Sequence, residues 1–365
     1  MLEKIDPSTY SDQLAEKQRH IEALFAPFSP PPLEVYDSPP LHFRMRAEFR
    51  IWHEGSRALY AMTPAGERRP RPIASFDIGS TAIVEKMPPL LTAINSSELL
   101  RRKLYGCEFL TTSRGEVLVT LIYHKPLDDA WHEQAAALAS SLNISLIGRS
   151  RKQKRVIGQD FVTEYLEVDG KTYSYQQVET GFTQPNARVN EKMLAWAKDV
   201  TRASGDSDLL ELYCGNGNFT AVLAQNFRRV LATEVSKVSV QSAQVNLAAN
   251  GVDDNVVIVR MASDEISAAL ARKREFNRLR HVDINSYHFS TLFLDPPRAG
   301  LDEATLGLAK GFKEILYISC NPLTLKDNLS ELHATHEIQR VALFDQFPYT
   351  PHIECGLWLR ARQAL

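Results

Sequence analysis

Cysteine is scarce and scattered. Only Cys107, Cys214, Cys320 and Cys355 occur in 365 residues, 107, 106 and 35 positions apart, whereas zinc and iron–sulfur sites draw their ligands from close pairs. No metal and no iron–sulfur cluster is expected, and the thiols are expected to stay reduced. No run approaches the roughly 18 apolar residues of a membrane span. The start, Met1-Leu2-Glu3-Lys4-Ile5-Asp6, lacks the basic and then apolar layout of a secretory leader. The cytoplasm is the expected location, with no membrane partner. An excess of one charge is missing too. Residues 1–180 hold 22 Lys and Arg against 23 Asp and Glu, and residues 181–365 hold 20 against 21, for a net charge of -2. Neither half is a polycation, so a nucleic-acid partner would have to be held by local basic patches. Internal repeats and low-complexity segments are absent. With 44% hydrophobic and 24% charged residues the chain is neither disordered nor collagen-like. Its length is about twice the usual domain of roughly 100–150 residues, so two domains are expected.

The first, residues 1–180, reads as an α+β region. Apolar residues at Tyr10, Leu14, Ile21, Leu24 and Phe25 have helical spacing, and Pro27 and Pro30-Pro31-Pro32 end the helix. From Leu41 to Ile51 every odd position is apolar and every even one polar, a strand whose period of two places Arg44, Arg46 and Arg50 on one exposed face. Phosphates could lie there; a solvated sheet face would read the same way. Residues 107–112 and 117–123 flank Ser113-Arg114-Gly115 as a hairpin, and residues 131–142 form an amphipathic helix. Two further basic clusters stand out, Arg68, Arg69 and Arg71 in a Pro-rich loop, and Arg149, Arg151, Lys152, Lys154 and Arg155.

Residues 181–365 alternate short apolar strands with helices, the pattern of a mostly parallel α/β sheet. The strand Asp208-Leu209-Leu210-Glu211-Leu212-Tyr213 runs into Cys214-Gly215-Asn216-Gly217-Asn218-Phe219-Thr220. Glycines after a strand let the backbone turn tightly and approach a ligand. Thr220 stands where a dinucleotide fingerprint needs a third small residue, which weakens a nicotinamide reading. The next strand ends at Glu234, suited to accept bonds from ribose hydroxyls. A later one ends at Asp295-Pro296-Pro297-Arg298. Two prolines stiffen that loop and present Asp295 at the carboxyl edge of the sheet, where open α/β sheets bind ligands. The order acid-x-x-x-Gly-x-Gly, Glu234, Asp-Pro-Pro resembles class I S-adenosylmethionine-dependent methyltransferases.

Amine-directed members of that class place an aromatic after Asp/Asn-Pro-Pro, and Arg298 stands there instead, so a different target atom is implied. One strand later Ser319-Cys320-Asn321-Pro322 puts a thiol at the same edge. A hairpin, 341–344 and 353–359, returns Glu354 to it. A thiol, a carboxylate and a methyl-donor site together suit methylation at carbon 5 of a pyrimidine. Cys320 adds to carbon 6, carbon 5 becomes enolate-like and attacks the methyl, and Glu354 removes the carbon 5 proton. A free thiol near pKa 8.5 is mostly protonated at neutral pH, so the site should lower that value or deprotonate the thiol on substrate binding. His352 could compete as base. Arg298 could bond uracil oxygens.

Five blocks carry a narrower likeness: Gly181-Phe182-Thr183-Gln184-Pro185-Asn186, Leu210 to Phe219, Asp295 to Leu301, Ser319 to Pro322 and His352 to Gly356. All resemble RNA uracil-5 methyltransferases. The resemblance implies a Rossmann-like seven-stranded catalytic sheet. It also implies that Gln184, Tyr213, Asn218, Glu234 and Asp295 hold S-adenosylmethionine or the nearby uracil, with Cys320 as nucleophile and Glu354 as base. The strand from Phe43 to Trp52 and the segment from Phe344 to Thr350 resemble the tRNA-directed members. These imply uridine 54 in the T loop of tRNA, and the equivalent uridine of tmRNA, as targets of a monomeric enzyme. An enzyme acting on ribosomal RNA and an RNA-folding chaperone with incidental methylation are the alternatives. A DNA cytosine-5 enzyme is disfavoured, because Ser319 and Asn321 flank Cys320 where those proteins resemble Pro-Cys-Gln. Buried T-loop uridines must be splayed out to react, and Arg50 on the phosphates with Tyr105 in the vacated space are the expected substrate contacts.

Overall fold

The computed structural model describes residues 5–64 and 66–362. It opens with helix α1 (Tyr10–Phe25) and a short strand β1 (Glu34–Tyr36). Next come β2 (Arg46–Glu54), β3 (Arg57–Met62), β4 (Arg71–Pro72), α2 (Thr81–Ser96), α3 (Glu98–Arg101), β5 (Leu104–Thr111) and β6 (Val117–Tyr123). Helix α4 (Asp129–Leu142), β7 (Ser145–Ser150) and β8 (Gln153–Ile157) follow. Strands β2 to β8 form one sheet in the order β4-β3-β2-β5-β6-β7-β8. Only β6 and β7 pair in parallel, and α4 supplies the crossover this requires. Asp128 caps α4 by accepting the Trp131 amide at 2.8 Å. Trp131 then fills the space over β7 so tightly that a Cβ on Gly148 would lie 2.2 Å from its ring.

The expected alternation along β2 is present, with Ala47, Phe49 and Ile51 buried. The opposite face is not a row of free arginines. Arg46 donates to the carbonyls of Gly181 and Glu179 at 2.8 and 2.9 Å, and Arg44 donates to the Arg46 carbonyl at 2.9 Å. A period of two fixes which side of the sheet these residues take, but two of the three are used by nearby carbonyls; Arg50 alone is exposed. Basic residues 149–155 are likewise partly engaged, Arg149 and Lys154 with Glu179 and Arg155 with Asp129.

A hairpin of β9 (Phe161–Val168) and β10 (Lys171–Val178) leads into α5 (Ala187–Val200), β11 (Asp208–Leu212), α6 (Thr220–Leu223), β12 (Arg229–Thr233), α7 (Lys237–Ala249) and β13 (Val256–Val259). After α8 (Ser263–Leu270), β14 (Phe289–Leu294), α9 (Glu303–Ala309), β15 (Glu314–Ser319) and α10 (Pro322–Leu332), the chain closes with β16 (His336–Phe344) and β17 (Glu354–Ala361). The second sheet runs β1-β16-β17-β15-β14-β11-β12-β13. All its pairings are parallel except those of β17, antiparallel to both neighbours. Alternate residues of its strands enter two apolar cores, one on each face.

This is the expected α/β sheet with one strand more than seven, because β1 pairs with β16. Nor do the two sheets part at residue 180. Ile21 and Phe25 of α1 enter the core of the second sheet, as do Tyr173 and Tyr175 of the β9–β10 hairpin. Periodicity shows that these faces are buried and does not show against what. All four cysteines are free. Among the described residues no helix is long and apolar enough to cross a membrane.

Candidate active site

Strand register brings the expected residues to one edge. Leu212 pairs with both Thr233 and Leu294, and Leu294 pairs with Tyr317. The carboxyl ends of β12, β11 and β14 therefore stand level and β15 runs two residues further, and Glu234, Tyr213, Asp295 and Cys320 follow them. Tyr213 has a φ of 63°, in the left-handed region that a bulky residue occupies only when its surroundings hold it there. Its hydroxyl donates to Ser263 Oγ at 2.8 Å. Gly217, at φ 79°, turns the loop back past Ala243.

Glu234 organises this loop by accepting the Gly215 and Ser236 amides at 3.1 and 2.7 Å. Asn218 exchanges two 2.9 Å bonds with Asn190 of α5, which leaves each amide one N–H. Gln184 Oε1 and Glu211 Oε2 are buried without a hydrogen-bond partner. Burial pushes Glu211 up to about 8 and Asp295 up to about 7. Among the described residues no lysine or arginine forms an ion pair with Glu211, Glu234 or Asp295. Three carboxyls without a cation and two orphaned buried oxygens suit a ligand that carries positive charge and hydrogen-bond donors, as the sulfonium and amino groups of S-adenosylmethionine do.

Cys320 and Glu354 adjoin Asp295 at this edge. Ser319 of β15 lies opposite Cys355 of β17, so one more antiparallel step sets Cys320 across from Glu354. Cys320 is half-buried and Glu354 is 5% exposed. Burial, and then the Glu354 carboxyl, push the thiol up; the neighbouring Arg298 guanidinium pulls the other way. The site therefore does not lower the thiol, which leaves deprotonation on substrate binding. Burial and neighbouring Asp295 hold Glu354 well above the usual carboxylate range. His352 takes a 2.7 Å contact at Nδ1 from Arg298 Nη2, and burial and that guanidinium lower its pKa. Its Nδ1 lone pair is thus occupied, which disfavours it as a competing base. Cys355 faces the opposite way, into the core.

Arg50 and Tyr105 meet on the first sheet, the guanidinium carbon 4.3 Å from the ring centre. They border a cavity of ≈ 380 Å³. Tyr105 also stacks on His124, with centroids 4.3 Å apart and planes at 22°. His124 follows a strand as an ordinary polar residue, and nothing in the sequence pairs it with Tyr105. Phe182, two residues before Gln184 and part of the first of the five blocks, is 71% exposed.

The family model for tRNA (Uracil-5-)-methyltransferase matches residues 9–362. A tRNA/tmRNA (uracil-C(5))-methyltransferase of Aromatoleum aromaticum is 55% identical over 362 residues, covering 99% of this chain and 98% of its own. One from Cellvibrio japonicus is 55% identical over 355 residues, covering 97% and 96%. Among solved structures, Pyrococcus abyssi tRNA (uracil-54, C5)-methyltransferase in complex with S-adenosyl-L-homocysteine superposes with a TM-score of 0.73 at 20% identity, over 96% of this chain and 83% of that one. That likeness concerns the fold, whereas the family match and the high identity concern the whole described chain: this protein belongs to the tRNA (uracil-5-)-methyltransferase family.

Proposed function

We propose that the protein methylates carbon 5 of a uridine in the T loop of tRNA, uridine 54, and the equivalent uridine of tmRNA, as a monomer. The observation that carries this reading is the placement of Cys320 across from Glu354, beside Asp295 and Arg298 at the edge that also bears the glycine loop. Gln184, Tyr213, Asn218, Glu234 and Asp295 hold S-adenosylmethionine. When bound, it supplies an electrophilic methyl group on a sulfonium.

The chain's own groups do the rest. Arg298 stabilises the Cys320 thiolate once the thiol proton has passed to solvent water at this half-buried position, and then bonds a uracil oxygen as negative charge builds there. The sulfur forms a bond to carbon 6, and the carbon 5–carbon 6 electron pair delocalises toward the carbonyl at carbon 4. Carbon 5 attacks the methyl group, and the carbon–sulfur bond of the donor breaks with its electrons staying on that sulfur. Glu354 takes the carbon 5 proton, the ring double bond re-forms, and the Cys320 sulfur departs as thiolate. A strongly basic buried carboxylate suits that proton transfer. Arg50 contacts phosphate, and Tyr105, backed by His124, stacks where the uridine has left.

The test is trapping with a T-arm RNA carrying 5-fluorouridine, whose carbon 5 has no proton for Glu354 to remove. A complex stable to denaturing gel electrophoresis is expected, absent in Cys320→Ala. A wild-type enzyme that methylates a ribosomal fragment and not the T arm would overturn the substrate.

A further inference from the structure

One side chain outside every block discussed above is tied to the catalytic base. Lys17, on α1, is buried, 8% exposed. Its ammonium donates to Asp345 Oδ1 at 2.7 Å, the Phe347 carbonyl at 2.9 Å and the His352 carbonyl at 3.0 Å. Three donors meet three acceptors, so the group is saturated. Asp345 directly follows β16, and His352 stands two residues before Glu354. The one ammonium therefore bridges both ends of the 345–352 loop that delivers the base.

Two independent features show that this loop needs holding. Tyr349 has a φ of 62°, costly for a bulky residue and maintained only by its surroundings. Its ring packs against Tyr10 of the same helix α1, with centroids 6.0 Å apart. The imidazole of His352, the residue whose backbone carbonyl Lys17 grips, is bonded to Arg298, whose guanidinium lies close enough to Cys320 to pull its thiol down.

We infer that Lys17 is a positioning residue for proton removal: by clamping Asp345, Phe347 and His352 it sets Glu354 against the substrate. The inference rests on the proposed chemistry. It distinguishes the two halves of the reaction, because the clamp reaches Glu354 more directly than Cys320.

Lys17→Met would leave Asp345 buried and unpaired, so the variant to test is Lys17→Met combined with Asp345→Asn. Lys17→Gln, which keeps an N–H donor for the loop carbonyls, is the second variant should the first unfold. On ordinary T-arm RNA, turnover is expected to fall about 10- to 100-fold, the scale of a small misplacement of a reacting group. The fraction of enzyme trapped covalently at steady state should rise, because the adduct still forms and resolves slowly. The rate of 5-fluorouridine trapping should stay within about twofold of wild type. A purely structural lysine would lower turnover and trapping together with no accumulation of adduct, and that result overturns the inference, as does unchanged turnover in a folded variant. Failure of wild type itself to trap 5-fluorouridine would instead overturn the underlying chemistry.

Discussion

Glu211, Asp295 and Glu354 bind a proton more tightly in the fold than in water. Burial is the first cause in each case, and it lifts Glu211 from 4.5 to about 8 and Asp295 from 3.8 to about 7. A carboxyl whose folded value lies above its unfolded one binds more protons when folded. Its stabilising effect is therefore complete below the unfolded value and is lost as pH rises through the folded one. Each such group contributes a slope of up to about 1.4 kcal/mol per pH unit within its window. Between about pH 6 and about pH 8 wild type should lose thermal stability, and Glu211→Gln should lose less over the same interval, as read by melting in matched buffers. A cationic donor molecule favours the ionised acids, so its apparent affinity should strengthen as pH rises through the same interval.

Glu354→Gln keeps the shape of the base and removes its proton affinity. Turnover should drop by about 10²- to 10⁴-fold, while covalent RNA accumulates on denaturing gels; retained turnover without adduct would shift the role to another group. The motifs at strand ends made the shared edge of Cys320 and Asp295 legible in sequence, because a residue that follows a parallel strand has one place to go; Glu354, first in an antiparallel strand, reaches that edge through the returning hairpin. The raised thiol was not legible. It depends on how much of the sulfur is buried and on Glu354, 34 positions away, coming to lie across from it.

Among elements, periodicity recovered α1, the β5–β6 hairpin, α4 and the β16–β17 hairpin, since each has an apolar face of regular spacing. It failed where an element has no pattern of its own. Strand β1 is three residues long, and its pairing with Ala342 to Phe344 lies some three hundred positions away. Partners of Arg44 and Arg46 were equally invisible. Gly148→Ala tests the packing of α4 on its sheet. The added methyl meets Trp131, and a destabilisation of about 1–3 kcal/mol is expected in chemical denaturation, typical of an overpacked core. Asp128→Ala should cost about 1 kcal/mol by the same measurement, through the lost cap.

For the whole molecule, a net charge of -2 means that RNA affinity rests on placed groups rather than on a general field. Tyr105→Ala should weaken T-arm binding by about 1–3 kcal/mol with Tyr105→Phe close to wild type, the mark of stacking. Arg50→Ala should lower affinity for all sequences alike and reduce the slope of log affinity against log salt by about 1, as expected for one lost phosphate contact. Filter binding across a salt series reads both.

The insertion of β17 between β15 and β16 has a consequence for synthesis. Cys320 is translated before the strand that carries Glu354, and the loop ahead of Glu354 closes onto a helix made near the beginning. A nascent chain still lacking residues 354–361 has no strand to join β15 to β16, so the sheet beside Cys320 is unfinished until the last strand enters. That edge is therefore completed late, when the polypeptide's early and late segments have met.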